Sequence, residues 1–439
     1  MEQVSTINLF GFLLTLALGF LTILVPRRYA FLPILVAVCY LTIGQQIIFM
    51  TANFYAYRIL IFFCWFRLML RREIREIRFN MLDAMILLWM FTSIVTYVLL
   101  FHNYAAFINR LGRAFDVIGF YFYFRFTIHD LDDIYRIIKV TAIVILPLAI
   151  AMLVESFTGR NIFYAMGGVP EQTFIRGTRF RCQGPFRHPI LAGSFGAAQF
   201  PLFIALWWGD QKNRALAVLG ALSATAIMIS AASSGPLISY FISVIALLLW
   251  PAHRYMRAVR WGVAGTILAL HLFMKAPVWY LFDRLGQFFG SVGWHRSFLI
   301  SQTINYFEDW WLLGVRVTSH WMPLALEDYP DRADITNQYI LEGVNGGLVT
   351  MLAFITIIIF AFKFVGRSLK RLESEGQSFY RRMIVWVLGV SLVSHVMSFT
   401  SVAYFDQIWI SWYMLLAMIS TVYDRERNAE QENPASVDL

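Results

Sequence analysis

Apolar runs of roughly 18 to 22 residues, each long enough to cross about 30 Å of hydrocarbon as helix, recur along the whole chain with short polar breaks between them. They fall near residues 7–25, 30–50, 53–70, 81–101, 111–128, 139–155, 189–208, 214–231, 233–250, 258–274, 344–363, 383–400 and 404–421. The pattern predicts an all-α polytopic membrane protein with about 12 to 13 transmembrane helices. No ten-residue alternation of the kind found in outer-membrane strands accompanies these runs, so a helical bundle is the architecture expected.

Composition agrees with that reading. Hydrophobic residues make up 59% of the chain, aromatic residues 17% and charged residues 14%, with a mean hydropathy of +0.62, outside the range of soluble globular chains. The net charge of +9 raises the question of a nucleic-acid partner. Its distribution argues against one, because alternate threading of the spans collects most short basic loops on one face. These loops are Arg27-Arg28, 71–78, 134–139, 211–214, 253–260, 363–382 and the tail with Arg425 and Arg427. They mark the expected cytoplasmic side, with the N-terminus outside, the C-terminus inside and the first helix an uncleaved span. Residues 1–424 are expected to form a single transmembrane domain, and the polar tail 425–439 to be disordered. No internal repeat is visible, which weighs against an inverted-repeat transporter.

Two segments, about 155–188 and 275–343, are long and fall on the external side. They break the charge rule by carrying Arg160, Arg176, Arg179, Arg181, Arg187, Arg284, Arg296, Arg316 and Arg332. Two readings fit: contact with outer headgroup phosphates, or a dedicated anion site built from guanidinium groups that grip phosphate in pairs of hydrogen bonds. Arg110 and Arg113 could join either. Within 53–70, Arg58 and Arg67 are expected to snorkel toward opposite faces, with Arg58 also placed to face the anion site. The segments 278–289 and 297–307 look like interfacial helices roofing a cavity.

Other motifs have plainer explanations. The Asp-x-Asp in HDLDD (129–133) reads as helix capping, not as a metal site. The aspartates of 328–334 match no calcium loop, and Cys39, Cys64 and Cys182 form no disulfide framework. Trp207-Trp208 and Trp310-Trp311 read as aromatic belt, with Trp310 or Tyr306 a lesser candidate for stacking on sugar, and SSGPL (233–237) as close helix packing. No metal or cofactor is expected.

The stretch RFRCQGPFRHPILAG (179–193) resembles the signature preceding a mid-chain helix in bacterial O-antigen ligases and polysaccharide polymerases. ESFTGRNIF (155–163), WHRSFLISQTINYFEDWWLLGV (294–315) and ITNQYILEGVNGGLVTML (335–352) are similar to further segments of that family, in its order. The resemblance implies a glycosyltransferase C-like fold in the bacterial inner membrane and a periplasmic site. It also implies metal-free transfer of a glycan from undecaprenyl diphosphate to an acceptor hydroxyl. By position it makes Arg181 and Arg296 the diphosphate ligands, with Arg176, Arg179, His188 and Asn337 in the substrate site.

The chain departs from the ligase pattern at Thr336, which stands before Asn337 where that family carries a histidine base. A carboxylate is therefore expected to take the proton: Asp334 by preference, Glu342 second, with Glu155, His188, His295 and His320 as further external candidates. For Asp334 the competing role is a cap on a helix opening at Ile335. The departure favours a polymerase, with a lipid-linked donor and acceptor, over a ligase acting on lipid A-core; a transporter or flippase of lipid-linked glycans is the reading without catalysis. Expected partners are membrane lipids and a chain-length regulator or export component.

Overall fold

The computed structural model describes residues 8–44, 46–49, 52–74, 77–288, 293–322, 325–326 and 329–432. Each apolar run carries a helix. In chain order these are α1 (Leu9–Leu24), α2 (Leu32–Tyr40), α3 (Ala56–Leu70), α4 (Met81–Phe101), α5 (Tyr104–Thr127), α6 (Leu131–Thr158), α7 (Pro189–Ile204), α8 (Arg214–Ser230), α9 (Ser234–Leu248) and α10 (Met256–Phe273). Three shorter helices, α11 (Leu281–Phe288), α12 (Trp294–Asn305) and α13 (Phe307–Trp310), fill the second long loop. The chain then closes with α14 (Gln338–Ser374), α15 (Phe379–Phe399) and α16 (Ile408–Glu432). The strands form two-stranded antiparallel hairpins: β1 (Gln46–Phe49) with β2 (Ala52–Tyr55), β3 (Phe174–Arg176) with β4 (Arg179–Arg181), and β5 (Ala325–Leu326) with β6 (Tyr329–Ala333).

The chain is thus an all-α polytopic membrane protein, but fewer helices qualify as spans than the apolar runs predict. Among the described residues, six are long and apolar enough to cross a membrane, or seven if α9 and α10, bent by 84°, count as one. The run 30–50 ends its helix at Tyr40, and the chain turns at Ile43-Gly44 ahead of the β1–β2 hairpin. Helices α1 and α3 have 16 and 15 residues, and α5 carries Arg110, Arg113, Asp116 and Arg125. Helix α16 continues as far as Glu432 into the tail expected to be disordered, and residues 433–439 lie outside those described.

Capping residues set several helix starts. Asn80 and Asp83 form a capping box on α4, and Asp130 accepts from the backbone N–H of Asp133 at the start of α6, so HDLDD is a cap. Helices α7 and α15 run through the middle of the bundle, almost wholly buried. Small residues let α7 approach its neighbours: a methyl group on Gly196 would stand 2.6 Å from the carbonyl oxygen of Ala224 on α8.

Buried ion pairs replace the snorkelling expected of α3. Arg67 is fully buried, clasps Glu73 through two bonds of 2.8 Å and donates to the carbonyls of Thr22 and Val25. Arg58 holds Asp116 in the same two-bond geometry at 2.8 Å. At the end of the bundle bearing the basic loops, Arg125 joins Asp83 of α4 to Asp424 of α16. Paired in this way, each charge avoids the desolvation that an isolated buried ion would suffer.

Candidate functional site

Midway along, the first long loop forms a β-hairpin whose register sets its chemistry. Arg176 pairs with Arg179 and Phe174 with Arg181 across the β3–β4 ladder. Side chains alternate along a strand, and cross-strand partners share a face, so Arg176, Arg179 and Arg181 project on the same side. Gly177, at φ 61°, makes the turn between them. Three like charges on one face of so short a ladder repel one another, and an anion would relieve the repulsion.

The end of this loop is fastened to the bundle. Glu155, at the last turn of α6, is buried and accepts from Thr173 Oγ1 at 3.0 Å and from the backbone N–H groups of Gln183 and Gly184 at 3.1 and 2.9 Å. Its carboxylate therefore organises the loop and is removed from the candidates for the base. The N–H of Cys182 donates to Ser230, the Gln407 amide donates to Pro185, and His188 caps α7 by accepting from the N–H of Ile190 at 3.2 Å. Arg181, carried between these fixed points, donates through Nη2 to Ser233 Oγ at 2.9 Å, while its buried Nε meets no acceptor.

Arg296 reaches the same place from α12. A methyl group on Gly235 would stand 3.4 Å from Arg296 Nη2, and the buried Nη1 has no acceptor. The two arginines thus converge on Ser233–Gly235, the turn that opens α9, where unpaired backbone N–H groups and the helix dipole favour an anion. Among the described residues neither forms an ion pair. Burial first, and the guanidinium of Arg176 second, pull both below the usual arginine range. An arriving phosphate would oppose both shifts by favouring the charged guanidinium. The SSGPL segment also packs closely, since Gly235 leaves no room for a side chain beside Ser401.

Beside this cluster lies a cavity of about 480 Å³, lined by His188, Asp334, Thr336, Arg316, Arg332 and Ser401 among others. Burial, reinforced by Arg181, holds His188 down at about 4, so the ring is neutral near pH 7. With Nδ1 accepting from Ile190, its proton sits on Nε2, which makes His188 a donor and not a base. Asp334 is exposed to the cavity. The cap of α14 is Asn337, whose Oδ1 accepts from Ile340 N–H at 3.2 Å, so Asp334 does not cap that helix. The Asn337 amide nitrogen donates to the carbonyl of Thr400 at 3.4 Å.

Glu342 does not line this cavity. It is fully buried and accepts from Arg113 Nη2 at 2.5 Å, Gln338 Nε2 at 2.6 Å and Trp89 Nε1 at 3.0 Å. With its oxygens occupied inside the bundle, Glu342 serves as a brace. Gln338 extends that brace by accepting from the N–H of Tyr404 at 2.8 Å. His295 comes beside Thr336, with Nδ1 3.4 Å from Thr336 Oγ1. Burial lowers its pKa, Asp334 partly opposes that shift, and Arg296 adds to it. His320 packs edge-on against Tyr306, which stacks on Trp321, and Trp310 is buried with its indole N–H on Thr303, so this aromatic group is a core and not a sugar platform.

A second cavity of about 340 Å³ shares Leu341, Asn345 and Phe405 with the first. Arg58, Arg110, Arg113 and Asp116 line it, so Arg110 and Arg113 face this chamber, with Arg110 stacked 3.7 Å from the centre of the Tyr97 ring. Asp406 also lines it, in the left-handed region at φ 61°, with Oδ2 buried and unpartnered. Burial pushes its carboxyl up to about 6, against the pull of Arg187. The sequence reading missed Asp406, which sits inside the apolar run 404–421, in the short turn ahead of α16.

No family model matches the chain, and no curated protein matches it.

Proposed function

We propose that the chain is a membrane glycosyltransferase of the polysaccharide-polymerase kind, which moves a glycan from undecaprenyl diphosphate to the hydroxyl of a second lipid-linked repeat unit. The observation that carries this reading is the convergence of Arg181 and Arg296, each with a buried unpaired N–H, on the opening turn of α9. A cationic cluster without carboxylate partners suits a diphosphate leaving group, whose developing charge is the main demand of such a transfer. In the proposed step the bond from the anomeric carbon to the phosphate oxygen breaks, with its electron pair going to the diphosphate beside the two arginines. The acceptor oxygen forms the new bond to that carbon, and its proton passes to the Asp334 carboxylate in the cavity. His295 stands next to Asp334 as a positioning group.

In this reading the two long loops face the periplasm, the fold is of the glycosyltransferase C kind, and the shorter apolar helices complete the 12 to 13 crossings. Thr336 in place of a histidine favours the polymerase over a ligase.

The deciding experiment incubates the protein in nanodiscs with undecaprenyl-diphosphate oligosaccharide alone and resolves the products by gel and mass spectrometry. A ladder of repeat units still on lipid diphosphate is the expected result. Transfer that needs a second acceptor would identify a ligase, and binding without turnover would identify a transporter.

A further inference from the structure

The end of the bundle with the basic loops contains a groove of about 540 Å³, remote from the arginines of the long loops. Helix α10, none of whose residues is buried, forms one side; the C-terminal half of α14 and part of α15 form the other. The floor is apolar, with Ala246, Val365, Leu369, Trp386 and Val390. The rim is cationic. Arg257 and Arg260 stand three residues apart on α10 with Arg254 just ahead of it, and Lys363, Arg367 and Lys370 follow at i, i+4 and i+7 on one face of α14.

Glu373, the acid in this lining, is already engaged by Arg254 through bonds of 2.9 and 2.7 Å and by His253 at 3.2 Å. Among the described residues, Arg257, Arg260 and Lys370 pair with no carboxylate. Gly366 lies on the same wall, and a methyl group there would meet nothing within 4 Å. A helix interior disfavours glycine, so here it leaves groove volume open.

We propose that this groove binds an anionic phospholipid, with the headgroup between the two cationic ridges and an acyl chain along the apolar floor. The ridge from 254 to 260 rises about 9 Å, comparable with the polar layer of a bilayer, which is on the order of 5–8 Å per leaflet. Unpaired cations on both walls complement a net negative headgroup and gain less from a zwitterionic one, whose own cation they repel. The apolar floor distinguishes a lipid from a soluble phosphate. This inference does not depend on the proposed reaction.

The test uses the full chain, delipidated in neutral detergent and titrated with phosphatidylglycerol or phosphatidylcholine, with bound lipid counted by native mass spectrometry. The wild type should prefer phosphatidylglycerol by roughly tenfold, and Arg257→Ala/Arg260→Ala/Lys370→Ala should bring the ratio close to one. Gly366→Leu keeps every charge and fills the groove, and should remove the bound lipid without lowering the unfolding midpoint. Equal binding of both lipids by the wild type, or a phosphatidylglycerol adduct that survives Gly366→Leu, would overturn the proposal.

Discussion

Nη2 of Arg181 donates to the hydroxyl of Ser233 at 2.9 Å, which ties the arginine hairpin to the first turn of α9. One donor is thereby fixed, and the buried Nε is left without an acceptor. Arg181→Ala should lower turnover on the lipid-linked donor by about 10²–10³-fold. Lysine should restore little, because a single ammonium cannot match the planar fork. Ser233→Ala should cost about tenfold, seen mainly in donor KM, since Ser233 orients the guanidinium without replacing it. Parallel binding of undecaprenyl diphosphate, measured by native mass spectrometry, checks that the loss follows the anion; unchanged binding in Arg181→Ala would remove this residue from the site.

Asp334 and His295 separate by role. Asp334→Asn keeps shape and removes the proton acceptor, so turnover should fall by roughly 10²–10⁴-fold with donor binding retained. His295→Ala should fall less, about tenfold, because its ring positions Thr336 and Asp334 and does not line the cavity. Single-turnover rates with saturating donor would resolve the two, and equal losses would shift the base to the imidazole.

The helices were legible in the sequence because apolar runs of spanning length announce themselves, and Arg181 and Arg296 stood out as arginines on the wrong side of a charge pattern. Partnership was not legible. Glu342 and Asp334 look alike in sequence, eight residues apart, yet one is locked by Arg113, Gln338 and Trp89 and the other opens on a cavity. Arg67 reads as a snorkelling cation because its partner Glu73 lies past the helix end, in a loop whose path the apolar pattern does not encode. The β1–β2 hairpin hid across the junction of the apolar runs 30–50 and 53–70, because hydrophobicity alone does not distinguish a short strand from a helix.

Glu342 tests the brace. Replacement by alanine leaves Arg113 without its carboxylate and frees Gln338 and Trp89, so stability should drop by about 3–5 kcal/mol. The double variant Arg113→Met/Glu342→Leu should recover much of that loss, because it removes the uncompensated charge as well. Thermal unfolding in detergent gives both values. A single variant as stable as the wild type would mean that water reaches the pair from the second cavity.

Asp406 predicts a pH dependence. Its folded pKa of about 6 lies above the ordinary 3.8, so the folded state favours the protonated form. The stability it contributes is present below about pH 4 and is lost as pH rises toward 6, by at most about 3 kcal/mol. Asp406→Asn should raise the unfolding midpoint at pH 7.5 and leave it nearly unchanged at pH 4, and asparagine accepts the left-handed backbone there. Equal midpoints at pH 7.5 would show that the ionised carboxylate is solvated.

The arginine face of the β3–β4 hairpin also bears on what happens after the bond is made. In the proposed transfer the donor diphosphate carries a sugar on its terminal phosphate, and departure of that sugar leaves a lipid diphosphate with greater negative charge. Arg176, Arg179 and Arg181 would therefore hold the spent carrier more tightly than the fresh donor. Escape of the carrier, not the sugar transfer, would then set the pace of successive rounds, and added undecaprenyl diphosphate would act as an inhibitor competing for the same face.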